Sequence, residues 1–255
     1  MPNEITIGLN RTGMQASPHE AGELLETLEM GPEPMQAVPS YSDRDDPRIQ
    51  AAADLRLDYA QAADPVGSVP PPMSLKGVVG SAKEMLQGNR MHILLDKLGE
   101  RAAFERSGTR LYDAFLQKLD ALDEAMPEGM TLSEVERHRN EEASNYNLLV
   151  EAIESLGGDP TTQTPCADVA GVQGMGLMQA MTDPRTTLPQ ALQTLLSAEL
   201  IDEASWELLI ELAEGFDQPE LVQRFTLALE HEQRHADHVR MWLSAALSQS
   251  ALGRA

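Results

Sequence analysis

Cysteine is almost missing from this chain: Cys166 stands alone among 255 residues, so no intrachain disulfide and no thiolate cluster can form. Basic residues are scarce as well, 19 against 41 acidic ones, for a formal charge of -22. Such a balance excludes nucleic acid and anionic membranes as partners, because both demand a basic surface. No run approaches the ~20 apolar residues of a membrane span, and Met1-Pro2-Asn3-Glu4 lacks the basic start and apolar stretch of a signal peptide. The expectation is a soluble cytoplasmic protein. No stretch alternates apolar and polar residues as a half-buried strand would. Gly171, Gly174 and Gly176 lack the strand and helix that a phosphate-cradling loop requires, and no strained elbow for Ser-His-Asp chemistry is visible.

What the chain does hold is divided unevenly. Ten of the 16 prolines precede residue 75, where large apolar residues are few. Residues 1–73 therefore read as a Pro-rich, largely extended N-terminal arm. Within it Ser17-Pro18-His19-Glu20 predicts a short helix to about Met30, and a second is expected from Pro47 to Ala63. Residues 74–250 carry long amphipathic runs: a lead helix from about Ser74 to Gln87, then principal helices near 89–126, 131–156, 187–215 and 219–248. Pro127 with Gly129, and Gly157 with Gly158, mark the stops, while Thr131 with Glu134 caps the second helix. The expected class is all-α, with an antiparallel four-helix bundle whose pairs are joined by one long crossover, the topology of ferritin-like folds. Part of that crossover, about Ala167 to Thr182, predicts another helix whose Met175, Met178 and Met181 are packing residues rather than soft-metal ligands.

Each principal helix has an apolar stripe, and each stripe is broken by a carboxylate. The first carries Leu98, Ala102, Glu105, Tyr112, Leu116 and Leu119; the second Val135, His138, Glu142, Asn145 and Leu149. The third carries Leu192, Leu195, Glu199, either Asp202 or Glu203, and Trp206; the fourth Phe225, Ala228, Glu232, His235, Val239 and Trp242. One inward Glu is more simply a neutral or paired core carboxylate. Four that converge cost several kcal/mol each in desolvation, with mutual repulsion added, unless cations neutralise them. Glu232 and His235 stand one turn apart, and a Glu-x-x-His from each of two helices plus a Glu from each of the others is a known ligand set for paired metals. Trp206 and Trp242 read as core or interface residues.

Glu105 followed by Tyr112 resembles the Glu-x6-Tyr signature of ferritin-like di-iron carboxylate proteins, and the segments around Glu142 and Glu232 are similar to those of rubrerythrin and bacterioferritin. The resemblance covers about residues 89–247. The arm, with Asn-Arg-Thr-Gly-Met-Gln at 10–15, is similar to that of uncharacterised bacterial ferritin-like proteins. The resemblance implies Glu105 and Glu199 as unpaired metal ligands, Glu142 and Glu232 as the bridging pair, and His235 on one metal. Tyr112 is implied to bond a ligating Glu and to donate an electron in oxygen chemistry; a packed tyrosine is the plainer alternative. Asn145 stands where the second His ligand belongs, and one of the two sites is accordingly expected to be weak. His138, one turn earlier, is the substitute ligand, or else a buried His bonded to a carboxylate. His238 is a second candidate, whereas His231 is expected to face a neighbouring helix or solvent.

The expected function is thus a ferroxidase or oxidase that binds two transition-metal ions, iron first and manganese or zinc as alternatives, and reacts with O2 or peroxide. With one cysteine it has no rubredoxin-like module, so its electron donor is external. A homodimer is compatible with all of this. The competing reading is a bundle with a decayed metal site that serves in interaction; binding of manganese or zinc without redox chemistry is a third.

Overall fold

A computed structural model describes residues 47–63, 91–122 and 125–252. The chain divides into two compact units, Met1–Ala63 and Asp64–Ala255. Of the first unit the structure describes α1 (Pro47–Ala62), with Leu55, Leu57 and Tyr59 exposed. This is the second short helix expected from sequence. The expected helices at Ser17–Met30 and Ser74–Gln87 lie outside the described residues.

The second unit contains α2 (Met91–Ala121), α3 (Leu132–Ser155), α4 (Pro165–Thr182), α5 (Leu188–Gly215) and α6 (Pro219–Leu252). Among the described residues there is no strand, and no helix is long and apolar enough to cross a membrane. The chain is all-α over its described length. Helix α2 ends at Ala121 rather than near 126. Thr131 caps α3 as its sequence predicts, its hydroxyl accepting from the Glu134 amide at 3.2 Å. Thr164 caps α4 with Pro165 in the first turn, and the Thr187 amide donates to Gln190 Oε1 at 3.0 Å at the head of α5. Gly129, at φ 79, makes the α2–α3 turn, and Trp242 Nε1 donates to its carbonyl at 3.0 Å.

Helix α2 packs against α3, α4 and α5; α6 packs against α5 and α3. The contacts give the directions. Arg139 bonds Asp113 and His138 lies beside Tyr112, while Leu149 packs among Leu94 and Leu98, so α3 runs back along α2. Arg224 pairs with Glu151 and Arg234 with Glu141, so α6 is antiparallel to α3. In the same way Trp206 meets Phe225 while Leu192 and Leu195 share a cluster with Val239 and Trp242, which sets α6 antiparallel to α5.

The interior is layered. One apolar cluster gathers Leu94, Leu98, Leu149, Trp206 and Phe225; another gathers Phe115, Val135, Leu192, Leu195 and Trp242. Between them each of α2, α3, α5 and α6 contributes buried polar residues at the middle of its stripe: Arg101 and Glu105, His138 and Glu142, Glu199 and Asp202, Glu232 and His235. The two apolar ends supply the burial that stabilises the fold, and the polar layer is held dry between them. Met181 is buried, but Met175 is exposed, so only part of the expected methionine packing on α4 is formed.

Candidate metal centre

The pitch of each helix carries the polar layer inward. Glu232 and His235 lie three residues apart on one face of α6, Glu199 and Asp202 likewise on α5, and Glu142 projects from α3 between them. All are buried. Ligand atoms of Glu142, Glu199, Glu232 and His235 lie within 4.8 Å of one another, and those of Glu105, Glu142 and Asp202 do the same. Glu142 belongs to both groups and divides the centre into two flanks.

On the first flank, His235 Nδ1 is 3.3 Å from Glu232 Oε2 and 3.4 Å from both Glu142 Oε1 and Glu199 Oε2. No one of these is a well-formed hydrogen bond. Among the described residues His235 Nδ1, Glu199 Oε2, Glu232 Oε2 and both oxygens of Glu142 are buried without a hydrogen-bond partner. Orphaned polar atoms of this kind are rare in folded proteins, and here they converge on one point. The other atoms are fixed from outside. His235 Nε2 bonds Glu141 Oε2 at 2.7 Å, Tyr112 donates to Glu199 Oε1 at 2.6 Å, and Asn145 Nδ2 donates to Glu232 Oε1 at 2.5 Å. Orientation of a ligand's far atom by an outer partner is characteristic of metal-binding imidazoles and carboxylates.

The second flank contains a cation of its own. Arg101, 2 % exposed, binds Asp202 Oδ1 through Nη2 and lies 3.4 Å from Glu105 Oε1. Glu105 Oε1 also accepts from Trp206 Nε1 at 2.8 Å, while Glu105 Oε2 is buried without a partner. The guanidinium stacks over Phe104, 4.7 Å from the ring centroid.

Electrostatics follow from this crowding. Burial, with repulsion from the other carboxylates, pushes Glu105, Glu142 and Asp202 well above the usual range, although Arg101 opposes the shift at Glu105 and Asp202. Burial also raises Glu199, against the pull of His235. Burial alone would lower His235, but Glu232 and its other carboxylate neighbours outweigh it and hold the ring well above its ordinary value. His138 is the opposite case: burial, then the charges of His235 and His238, lowers it to about 2.

Of the residues expected from sequence, Glu105, Glu142, Glu199, Glu232 and His235 are brought together, and Tyr112 reaches Glu199. His138 joins neither group. Its Nδ1 lies 3.4 Å from the Tyr112 hydroxyl, its Nε2 lies 3.1 Å from His238 Nδ1, and its ring stacks on His235 at 4.2 Å between centroids. It is a neutral wall of the site, not a carboxylate-bonded ring. His238 likewise contacts His138 and not the carboxylates. Of the Asp202 and Glu203 alternatives, Asp202 is the buried one. Three contributors are not among the residues expected from sequence. Arg101 carries a signal there, for it stands one turn before Glu105 on the same stripe. Glu141 orients His235 from the position adjoining Glu142. At Gly108 a Cβ would collide with Glu142 Oε2, so the shared carboxylate occupies the room that the missing side chain leaves.

No family model matches the chain, and no curated protein matches it.

Proposed function

We propose that this protein is a ferritin-like four-helix bundle, formed by α2, α3, α5 and α6, whose buried centre binds transition metal, iron first, and reduces O2 or peroxide as a ferroxidase or oxidase. The observation that carries the reading is the convergence of partnerless atoms from Glu142, Glu199, Glu232 and His235. Three carboxylates with one imidazole suit iron, manganese or zinc. A ferrous ion held by these residues would supply one electron and open coordination positions, and reduction of peroxide to two waters would take the second electron from the external donor together with two protons. The chain's own residues do the rest. Glu141 holds the His235 ring in place, the two apolar clusters exclude water, and Tyr112 keeps its hydroxyl proton on Glu199 beside the ligands, where it is placed to donate an electron and a proton.

The flanks differ in ligand chemistry, so we infer unequal filling: tight at Glu142, Glu199, Glu232 and His235, and weaker at the all-oxygen flank, where Arg101 already stands. A second reading, a bundle retained for interaction, is favoured by Asn145, whose amide donates to Glu232 where an imidazole would offer a lone pair. Ferrous titration under anaerobic conditions separates the two. Glu232→Ala is expected to abolish binding of the first equivalent, whereas equal binding by wild type and variant would place any iron elsewhere and sink the proposal.

A further inference from the structure

A half-enclosed cavity of about 460 Å³ lies between α2, α4 and α5, on the outer flank of the segments that carry Glu105 and Glu199. Its size is that of a small-molecule site. Phe104, Leu111, Met175 and Met178 give it apolar walls, and the flexible thioethers suit a ligand of irregular shape. Gly171 and Gly174 of α4 line it, and a Cβ built at either meets no atom within 4 Å. Gly108 and Ala198 form the part nearest the polar layer, and Gly108 has Glu142 on its other side.

Two lining residues are polar. Ser107 is satisfied already, its hydroxyl donating to the Ala103 carbonyl at 2.9 Å. Arg110 is exposed at the rim and has no ion pair among the described residues, although acidic residues outnumber basic ones twofold in this chain. An apolar chamber with a single unpaired cation at its edge selects an apolar molecule with one anionic end. We propose that this cavity binds a medium-chain aliphatic carboxylate, its chain among Phe104, Leu111, Met175 and Met178 and its carboxylate on Arg110. The proposal stands on the cavity alone and does not require metal at the buried centre.

Calorimetric titration of the full chain with decanoate and with 1-decanol tests it. Wild type is expected to bind decanoate at a single site and more tightly than the alcohol. Gly174→Leu fills the chamber without a backbone clash and is expected to abolish binding of both probes; Gly171→Leu is the second filling variant should the first fail to fold. Arg110→Gln is expected to weaken decanoate by roughly two- to fivefold, the share of an exposed ion pair, and to leave 1-decanol unchanged. Arg106→Gln, an exposed arginine that does not line the cavity, is expected to change neither. Absence of decanoate binding, decanoate binding that survives both filling variants, or equal loss of the two probes in Arg110→Gln would each overturn the assignment. Iron binding without decanoate binding would overturn it while sparing the metal proposal, and the reverse outcome would do the opposite.

Discussion

The two flanks of Glu142 are built from the same kind of helix face, yet they solve the problem of buried charge differently. Toward α6, Glu142, Glu199, Glu232 and His235 leave their inner atoms without partners. Toward Arg101, a guanidinium covers Asp202 and touches Glu105. One flank carries a permanent cation and the other relies on a proton or a metal. A buried charge must be compensated, and whether the compensation is internal or imported decides whether a site can bind and release something.

The largest expected effect comes from removing the internal cation. Arg101→Met leaves Asp202 and Glu105 buried without compensation and is expected to cost roughly 3–5 kcal/mol in urea unfolding. A variant as stable as wild type would show that the two flanks are not different in kind. Next is the carboxylate they share. Gly108→Ala forces a methyl against Glu142 Oε2, and the expected cost is roughly 1–3 kcal/mol, with metal affinity reduced on both flanks. Unchanged iron titration in this variant would mean that Glu142 does not belong to the centre.

Asn145→His should widen the difference, because an imidazole would replace the amide that now occupies Glu232 Oε1 on the flank that already holds His235. Tighter binding of the first metal equivalent is expected in anaerobic ferrous titration, and an unchanged affinity would show that Asn145 does not limit that flank. The smallest effect concerns the histidine wall. His138 is lowered to about 2, while an unfolded His titrates near 6.5, so below about pH 6.5 the unfolded chain takes up a proton that the folded chain refuses. Stability from this residue therefore falls with pH by at most ~1.4 kcal/mol per unit, opposite in sign to the carboxylates whose folded values are raised. His138→Phe should show a shallower loss of urea midpoint between about pH 7 and about pH 5. An identical slope would place the proton elsewhere.

Much of the helical architecture is legible in the amino-acid sequence. Period and breaker residues locate the helices to within a few residues, because the apolar stripes are long and Thr131, Gly157 and Gly158 punctuate them. The carboxylates are legible as interruptions of those stripes. Arg101 is legible only as a position on the stripe of Glu105; its burial is not, since a basic residue on an apolar stripe ordinarily extends to solvent, and only Asp202 on another helix shows why it stays inside. Gly108 and the cavity under α4 depend on how close neighbouring helices approach, which a helical period does not encode. His138 shares its stripe with Glu142, but periodicity cannot say that its two nitrogens go to Tyr112 and His238.

Elemental analysis after anaerobic reconstitution with Fe(II) and gel filtration tests the central claim most directly. The account predicts about one tightly held iron per chain, with further iron held weakly, and an absorbance change when air is admitted. A chain that retains no metal, with Fe(II), Mn(II) or Zn(II) alike, would contradict it and leave the converging side chains of Glu142, Glu199, Glu232 and His235 as a structural cluster.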